Sequence, residues 1–130
     1  MKKHLAIFKG DGADKILTGK KSIESRFSKI KIAPFGVVSS GDLVYIKPSG
    51  GEIIGQFRVK RVISFDGLNQ EDVLDIKKRF EKEISVDENY WEGKMQAKYG
   101  TLIFIGTSSR FLTPPIKIPK KDLRGWVVLG

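Results

Sequence analysis

The sequence predicts an α+β fold: a mostly antiparallel sheet curled into a small β-barrel, with a short N-terminal helix and two further helices packed on its side. Three observations carry that prediction. Short apolar runs bounded by glycine, proline and serine recur along the chain and read as strands. Residues 13–17 and 70–98 instead repeat apolar side chains at helical intervals. The 130 residues, 40% hydrophobic and 30% charged, suit one folded domain over 1–130 and not a disordered chain.

Residues 4–8 form an apolar run that reads as a buried first strand, with the lone histidine, His4, at its end. Gly10-Asp11-Gly12 breaks it. Asp11 stands at capping distance from Asp14, Ala13, Ile16 and Leu17 supply an inward stripe, and Gly19 stops the helix. Residues 28–32 alternate like a strand, and Pro34-Phe35-Gly36 reads as a loop that tucks an aromatic ring under the domain. A turn at 39–42 leads into the apolar strand 43–46, and a second run over 53–65 follows as its hairpin partner. In that run Phe57, Val59 and Arg61 are expected on one face, Gln56, Arg58 and Lys60 on the other.

Asn69 to Asp72 has capping-box spacing ahead of Val73, Ile76, Phe80 and Ile84, which recur as one helix face; the charged side reads as solvated. Ser85-Val86-Asp87-Glu88 repeats the box and predicts a second helix over 86–98, with Tyr90, Trp91 and Met95 as structural contacts. Residues 99–106 are the most apolar strand and belong at the centre of the sheet. The proline-broken stretch 111–119 is expected along an edge, and 126–129 as the closing strand.

Composition excludes several kinds of chemistry. Without cysteine there is no disulfide framework, thiolate zinc site or cysteine nucleophile, and one histidine cannot build a histidine-rich metal centre. No phosphate-binding loop, dinucleotide fingerprint or nucleophile elbow is found. The reading is therefore of no metal and no cofactor. The N-terminal apolar run stops at Lys9, too short for a signal peptide or a span, so a cytoplasmic protein with no membrane partner is expected. Lys+Arg 24 against Asp+Glu 15 gives a net charge of +9, which suits a polyanion such as RNA and equally a surface built for solubility.

The most informative stretch is Gly19-Lys20-Lys21-Ser22-Ile23-Glu24-Ser25-Arg26. As a strand it sends Ser22, Glu24 and Arg26 to one face and Ile23, Ser25 and Phe27 to the other. From spacing alone it reads either as a solvated strand edge with an exposed ion pair or as the wall of a cleft.

Residues 16–26, Ile-Leu-Thr-Gly-Lys-Lys-Ser-Ile-Glu-Ser-Arg, resemble the signature of the ASCH domains, relatives of the PUA fold: Gly-x-Lys, a small hydroxyl residue, an apolar residue, then Glu-x-Arg. Gly41-Asp42 leading into an apolar strand agrees with it. The resemblance implies a PUA-like barrel that holds RNA or a modified nucleotide in a basic cleft between barrel and helix. It implies Lys20, Lys21, Ser22, Glu24 and Arg26 as binding residues, with Arg58, Lys60 and Arg110 as further candidates. One branch of the family instead resembles an amidohydrolase acting on N4-acetylcytidine-type nucleosides, and another a ribonuclease. In the former, Lys21 takes the place of the catalytic lysine, Glu24 stands where the branch has threonine, and Glu83, or Glu81, takes the place of the downstream glutamate. A role in binding other proteins is a third implication.

Overall fold

The structure, a computed structural model, describes residues 1–113 and 124–130; most of the proline-broken stretch expected along an edge lies outside them. The elements in chain order are β1 (Lys3–Phe8), α1 (Gly12–Leu17), β2 (Ile23–Ser28), β3 (Leu43–Pro48), β4 (Gly55–Asp66), α2 (Gln70–Ile84), α3 (Glu88–Glu92), β5 (Tyr99–Arg110) and β6 (Trp126–Val128). The six strands form one sheet in the order β2-β5-β4-β3-β1-β6. Among the described residues only the β1–β3 pair is parallel. The sheet curls into a half-barrel with β2 and β6 as its edges, which gives the expected α+β class.

Two long strands produce the curl. β4 and β5 each run for 12 residues and pair along nearly their whole length. Their register shifts between Phe57 and Val59 and again between Val59 and Arg61, and such bulges bend a strand and increase its twist. The shifts also break the expected alternation, since Phe57 and Val59 are buried while Arg61 is exposed, its guanidinium 5.1 Å from the Phe104 ring. Gly55 lets the two strands approach: a Cβ there would lie 2.6 Å from the Ser109 carbonyl oxygen.

The alternation along β5 divides the core. Ile103 and Ile105 point into the barrel with Ala6, Val44, Ile46 and Phe57. Leu102 and Phe104 point outward beneath the helices, with Ile23, Phe27, Val73, Ile76, Ile84 and Trp91. α2 is the helix that its apolar spacing predicts, and Asn69 and Asp72 form the full reciprocal capping box.

The other two helix starts depart from the sequence reading. Asp11 has backbone angles of φ −98° and ψ 9°, not the extended geometry an N-cap needs, and its carboxylate makes no cap bond but lies 3.4 Å from Lys15. Ser85 adopts the left-handed conformation that ends α2 (φ 56°), so it cannot also be an extended cap for α3. Asp87 caps instead, and α3 stops at Gly93 after five residues. Likewise β2 ends at Ser28, and the alternating residues 29–32 are exposed and not in a strand. The loop behind them does tuck an aromatic: Phe35 meets Tyr99 edge-on at 5.2 Å.

His4, expected at a strand end, is fully buried within β1. Its Nδ1 accepts a hydrogen bond from the Trp126 indole at 3.1 Å. An indole N–H can only donate, so Nε2 carries the imidazole proton and donates it to Asp42 at 2.8 Å. Asp42 also accepts the backbone N–H groups of Lys2 and Ser39. Burial works to raise the Asp42 pKa, but the bonds from His4, Lys2 and Ser39 together outweigh it and hold the carboxyl below the ordinary value of 3.8. A carboxyl depressed in the folded state stabilises it above the unfolded pKa, and that stability disappears as pH falls through the folded value. We therefore expect the urea midpoint to drop as pH falls below 3.8, and the Asp42→Asn protein, weaker at neutral pH, to lose less over the same interval. Equal acid losses in the two proteins would show that Asp42 does not supply this dependence.

Candidate functional site

The signature segment runs from the C-terminus of α2 to the far edge of the sheet. A helix C-terminus leaves carbonyls without partners and carries partial negative charge. Three groups meet them here: the Ser22 N–H donates to the Glu83 carbonyl at 3.0 Å, Lys21 Nζ to the Ile84 carbonyl at 2.5 Å, and Lys15 Nζ to the Ser85 carbonyl at 2.8 Å. Gly19, at φ 82°, makes the turn that aims Lys21 this way, a conformation glycine adopts without cost.

Lys21 and Glu24 are 4% and 6% exposed, so this pair is not a solvated strand edge. Lys21 Nζ lies 3.3 Å from Glu24 Oε1, and Arg26 Nε donates to Glu24 Oε2 at 2.8 Å. Arg26 then reaches across the open side of the half-barrel, donating to the carbonyls of Ile7 in β1 at 2.9 Å and of Gly125, just before β6, at 3.1 Å. Its guanidinium carbon sits 5.0 Å from the Phe8 ring and 5.3 Å from the Trp126 ring. Three of its five N–H groups are thus committed, as is one Lys21 proton, while Glu24 faces the Lys21 ammonium as an ion pair.

These residues lie along a cleft of about 800 Å³, within the usual range for a small-ligand site. Its aromatic walls are Phe8, Phe27, Phe35, Tyr90 and Trp126; Lys9, Lys94 and Arg124 add positive charge. The Tyr90 hydroxyl bonds to the Ser25 hydroxyl at 2.7 Å and donates to the Ser25 carbonyl at 3.0 Å. Burial, and then the nearby Glu24 carboxylate, push its pKa well up, so it stays a neutral phenol. The Lys94 ammonium stands 5.1 Å from the Tyr90 ring. Burial lowers its pKa, and the positive charges of Arg26 and Lys9 lower it further. The Thr101 hydroxyl, fully buried and part of the lining, has no hydrogen-bond partner among the described residues.

Of the residues expected from sequence, Lys21, Glu24 and Arg26 meet in this cleft. Lys20 and Ser22 are exposed and lie outside its lining. Arg58 and Lys60 project from the exposed side of β4, Arg58 donating to the Gly41 carbonyl, and Arg110 pairs with Asp14 at 3.1 Å. Glu83 meets the motif through its backbone carbonyl, while Glu81 and Glu83 are both exposed and outside the lining. Tyr90, Thr101, Lys94 and Trp126 escaped the sequence reading. Tyr90 carried the nearest signal, as an aromatic one turn inside a capped segment. Among the described residues, no cluster of three or more histidine, aspartate or glutamate side chains is placed to hold a metal ion, and no helix is long and apolar enough to cross a membrane.

A curled α+β half-barrel with helices on one side and a polar cleft at its open seam is a PUA-like architecture. No family model matches the sequence, and no curated protein matches it. Solved structures do. The chain is similar to the ASCH protein from Zymomonas mobilis, with a TM-score of 0.65 and 14% identity over 83% of this chain and 69% of that one. A tyrosine-to-phenylalanine variant of that protein superposes with a TM-score of 0.66 at 15% identity, over 85% and 73% of the two chains. A serine-to-alanine variant gives 0.65 at 15% identity, over 83% and 70%. The chain therefore has the ASCH fold.

Arg26→Lys keeps the charge but cannot reach Glu24, Ile7 and Gly125 together. Its thermal and urea unfolding should report a loss of about 2 kcal/mol, the scale of hydrogen bonds to a charged group. An unchanged midpoint would mean that the seam is held by packing alone.

Proposed function

We propose that this protein binds a nucleotide, free or within single-stranded RNA, in the cleft at the seam of the half-barrel. The observation that supports this most is the make-up of the lining: aromatic rings, of which the partly exposed Phe35 and Tyr90 can take a stacked base, beside cations for its phosphate, in a space large enough for both. Stacking is tolerant of base identity, so discrimination falls to the polar groups on the floor. There Lys21 has protons beyond the one given to the Ile84 carbonyl and Glu24 has unused lone pairs, which can meet an acceptor and a donor on the base edge.

A hydrolytic reading draws on the same floor. Lys21 and Glu24 stand side by side with little access to water, a pair able to support proton transfer or to stabilise an oxyanion. It rests on those two residues, because the Glu83 and Glu81 side chains face solvent away from the cleft. Both readings make Lys21 central, and a deacetylation assay on N4-acetylcytidine run beside the binding assay separates them.

Titration with short single-stranded RNA should give affinity that falls as salt rises from about 50 to 200 mM, with a log–log slope of about −0.7 for each phosphate engaged. Lys21→Met, which keeps the length of the side chain, should weaken binding by at least about tenfold, the value of one hydrogen bond to a charged group. Full binding by a folded Lys21→Met protein would remove Lys21 from the site. No binding of RNA, nucleotide or nucleoside by the unaltered chain would overturn the proposal.

A further inference from the structure

We infer that the cleft has a phosphate position between Lys9 and Lys94 and that the buried Thr101 hydroxyl reads the polar edge of the base, so that the preferred ligand is a nucleotide with its phosphate and not a free nucleoside. This rests on the nucleotide reading above and names the residues outside the signature that would decide its ligand.

The charges along the lining do not balance. Glu24 is already matched by Lys21 and Arg26, and Asp11 is turned toward Lys15. Lys9 and Lys94 have no carboxylate partner among the described residues. A lysine kept for solubility extends into water, where its charge is screened. Lys9 is exposed, but Lys94 is half-buried, set over a Tyr90 ring that Ser25 holds in place, and it shares the cleft lining with Lys9 and Arg26, whose positive charges lower its pKa. Holding cations together in a partly desolvated cleft is unfavourable until an anion joins them. A phosphate, with one to two negative charges and several acceptor oxygens, is suited to that place.

The base edge is assigned to Thr101, a residue of the cleft lining that is itself fully buried. It lies directly opposite Arg26 in the β2–β5 register, so both side chains occupy the same face of the sheet at the cleft floor. A buried hydroxyl normally has a partner, and this one has none among the described residues. Because a hydroxyl both donates and accepts, it can meet either kind of group on a base edge.

The test is calorimetric titration of the full chain with the four common ribonucleosides, their 5′-monophosphates, inorganic phosphate and a trinucleotide without terminal phosphate. At least one monophosphate should bind about tenfold more tightly than its nucleoside, and Lys9→Gln and Lys94→Gln should each erase most of that difference. If the trinucleotide, and not the monophosphates, shows the Lys94 dependence, the phosphate held is an internal one of RNA, in the same position. Thr101→Val should weaken nucleoside and monophosphate alike by about tenfold without lowering the thermal midpoint, since it removes a polar group that has no partner in the fold. Equal affinity for every nucleoside and its phosphorylated forms would overturn the phosphate position and leave the nucleotide reading standing. Unchanged affinity in a folded Thr101→Val protein would overturn the role of the hydroxyl. Failure of every probe to bind would overturn the nucleotide reading itself.

Discussion

The guanidinium of Arg26 joins two parts of a sheet that its own hydrogen-bond ladder leaves apart. β2 lies at one end of the strand order, and β1 and β6 lie at the other. Curling brings these ends near each other without giving them a common ladder, which would leave edge carbonyls facing a gap. Arg26 fills it, donating to Ile7 and Gly125 while flanked by Phe8 and Trp126. An apolar side chain could pack in the gap but would not donate to the Ile7 carbonyl; the Gly125 carbonyl already accepts the Ile7 N–H at 2.9 Å. A closed ladder would satisfy the edge carbonyls but would abolish the cleft. A planar cation with several fixed donors meets both demands.

Using a cation in that way has a consequence two residues back along the strand. Arg26 needs a counter-charge inside the protein, and Glu24, on the same face of β2, provides it. A carboxylate so poorly exposed needs more than one partner, and Lys21 is the second. Lys21 in turn is anchored on the last carbonyl of α2, where the helix end favours positive charge. The Gly-x-Lys-x-x-Glu-x-Arg spacing is thus a structural chain, in which each charge answers the one before it, from the helix layer to the seam. The same spacing lines the cleft floor, so the side chains that hold the seam are also the ones proposed to meet a ligand.

How much of this was legible in the sequence depends on the range of the interaction. Alternation and helical spacing located the strands and α2, because those patterns are local. The Asn69–Asp72 box was legible for the same reason, whereas Ser85–Glu88 has the same spacing and failed, because the end of α2 had already fixed the Ser85 backbone. Lys21, Glu24 and Arg26 were legible as neighbours on one short segment. The groups that complete the cleft were not: Tyr90 meets Ser25 across 65 residues, and the Trp126 indole meets His4 across 122. Arg58, Lys60 and Arg110 share the sign of charge expected at a nucleic-acid surface, but the bend of β4 and β5 sets them outside the cleft.

The net charge of +9 by itself separates no readings, since a soluble surface and an RNA-binding one are both basic. What separates them is where positive charge is held against its own preference. On α2, Arg79 is paired within its helix and Lys77 with Glu88 of α3, so each of these cations has a carboxylate to answer it. In the cleft, by contrast, Lys94 is kept half out of water, over an aromatic ring and beside other cations, with no carboxylate among the described residues to compensate it. The Tyr90 ring offsets part of the cost of desolvating that ammonium, but no carboxylate among the described residues answers its charge. An anion in the cleft would offset the remaining cost, so the proposal of a phosphate-bearing ligand rests on the local charge at the seam more than on the overall surplus.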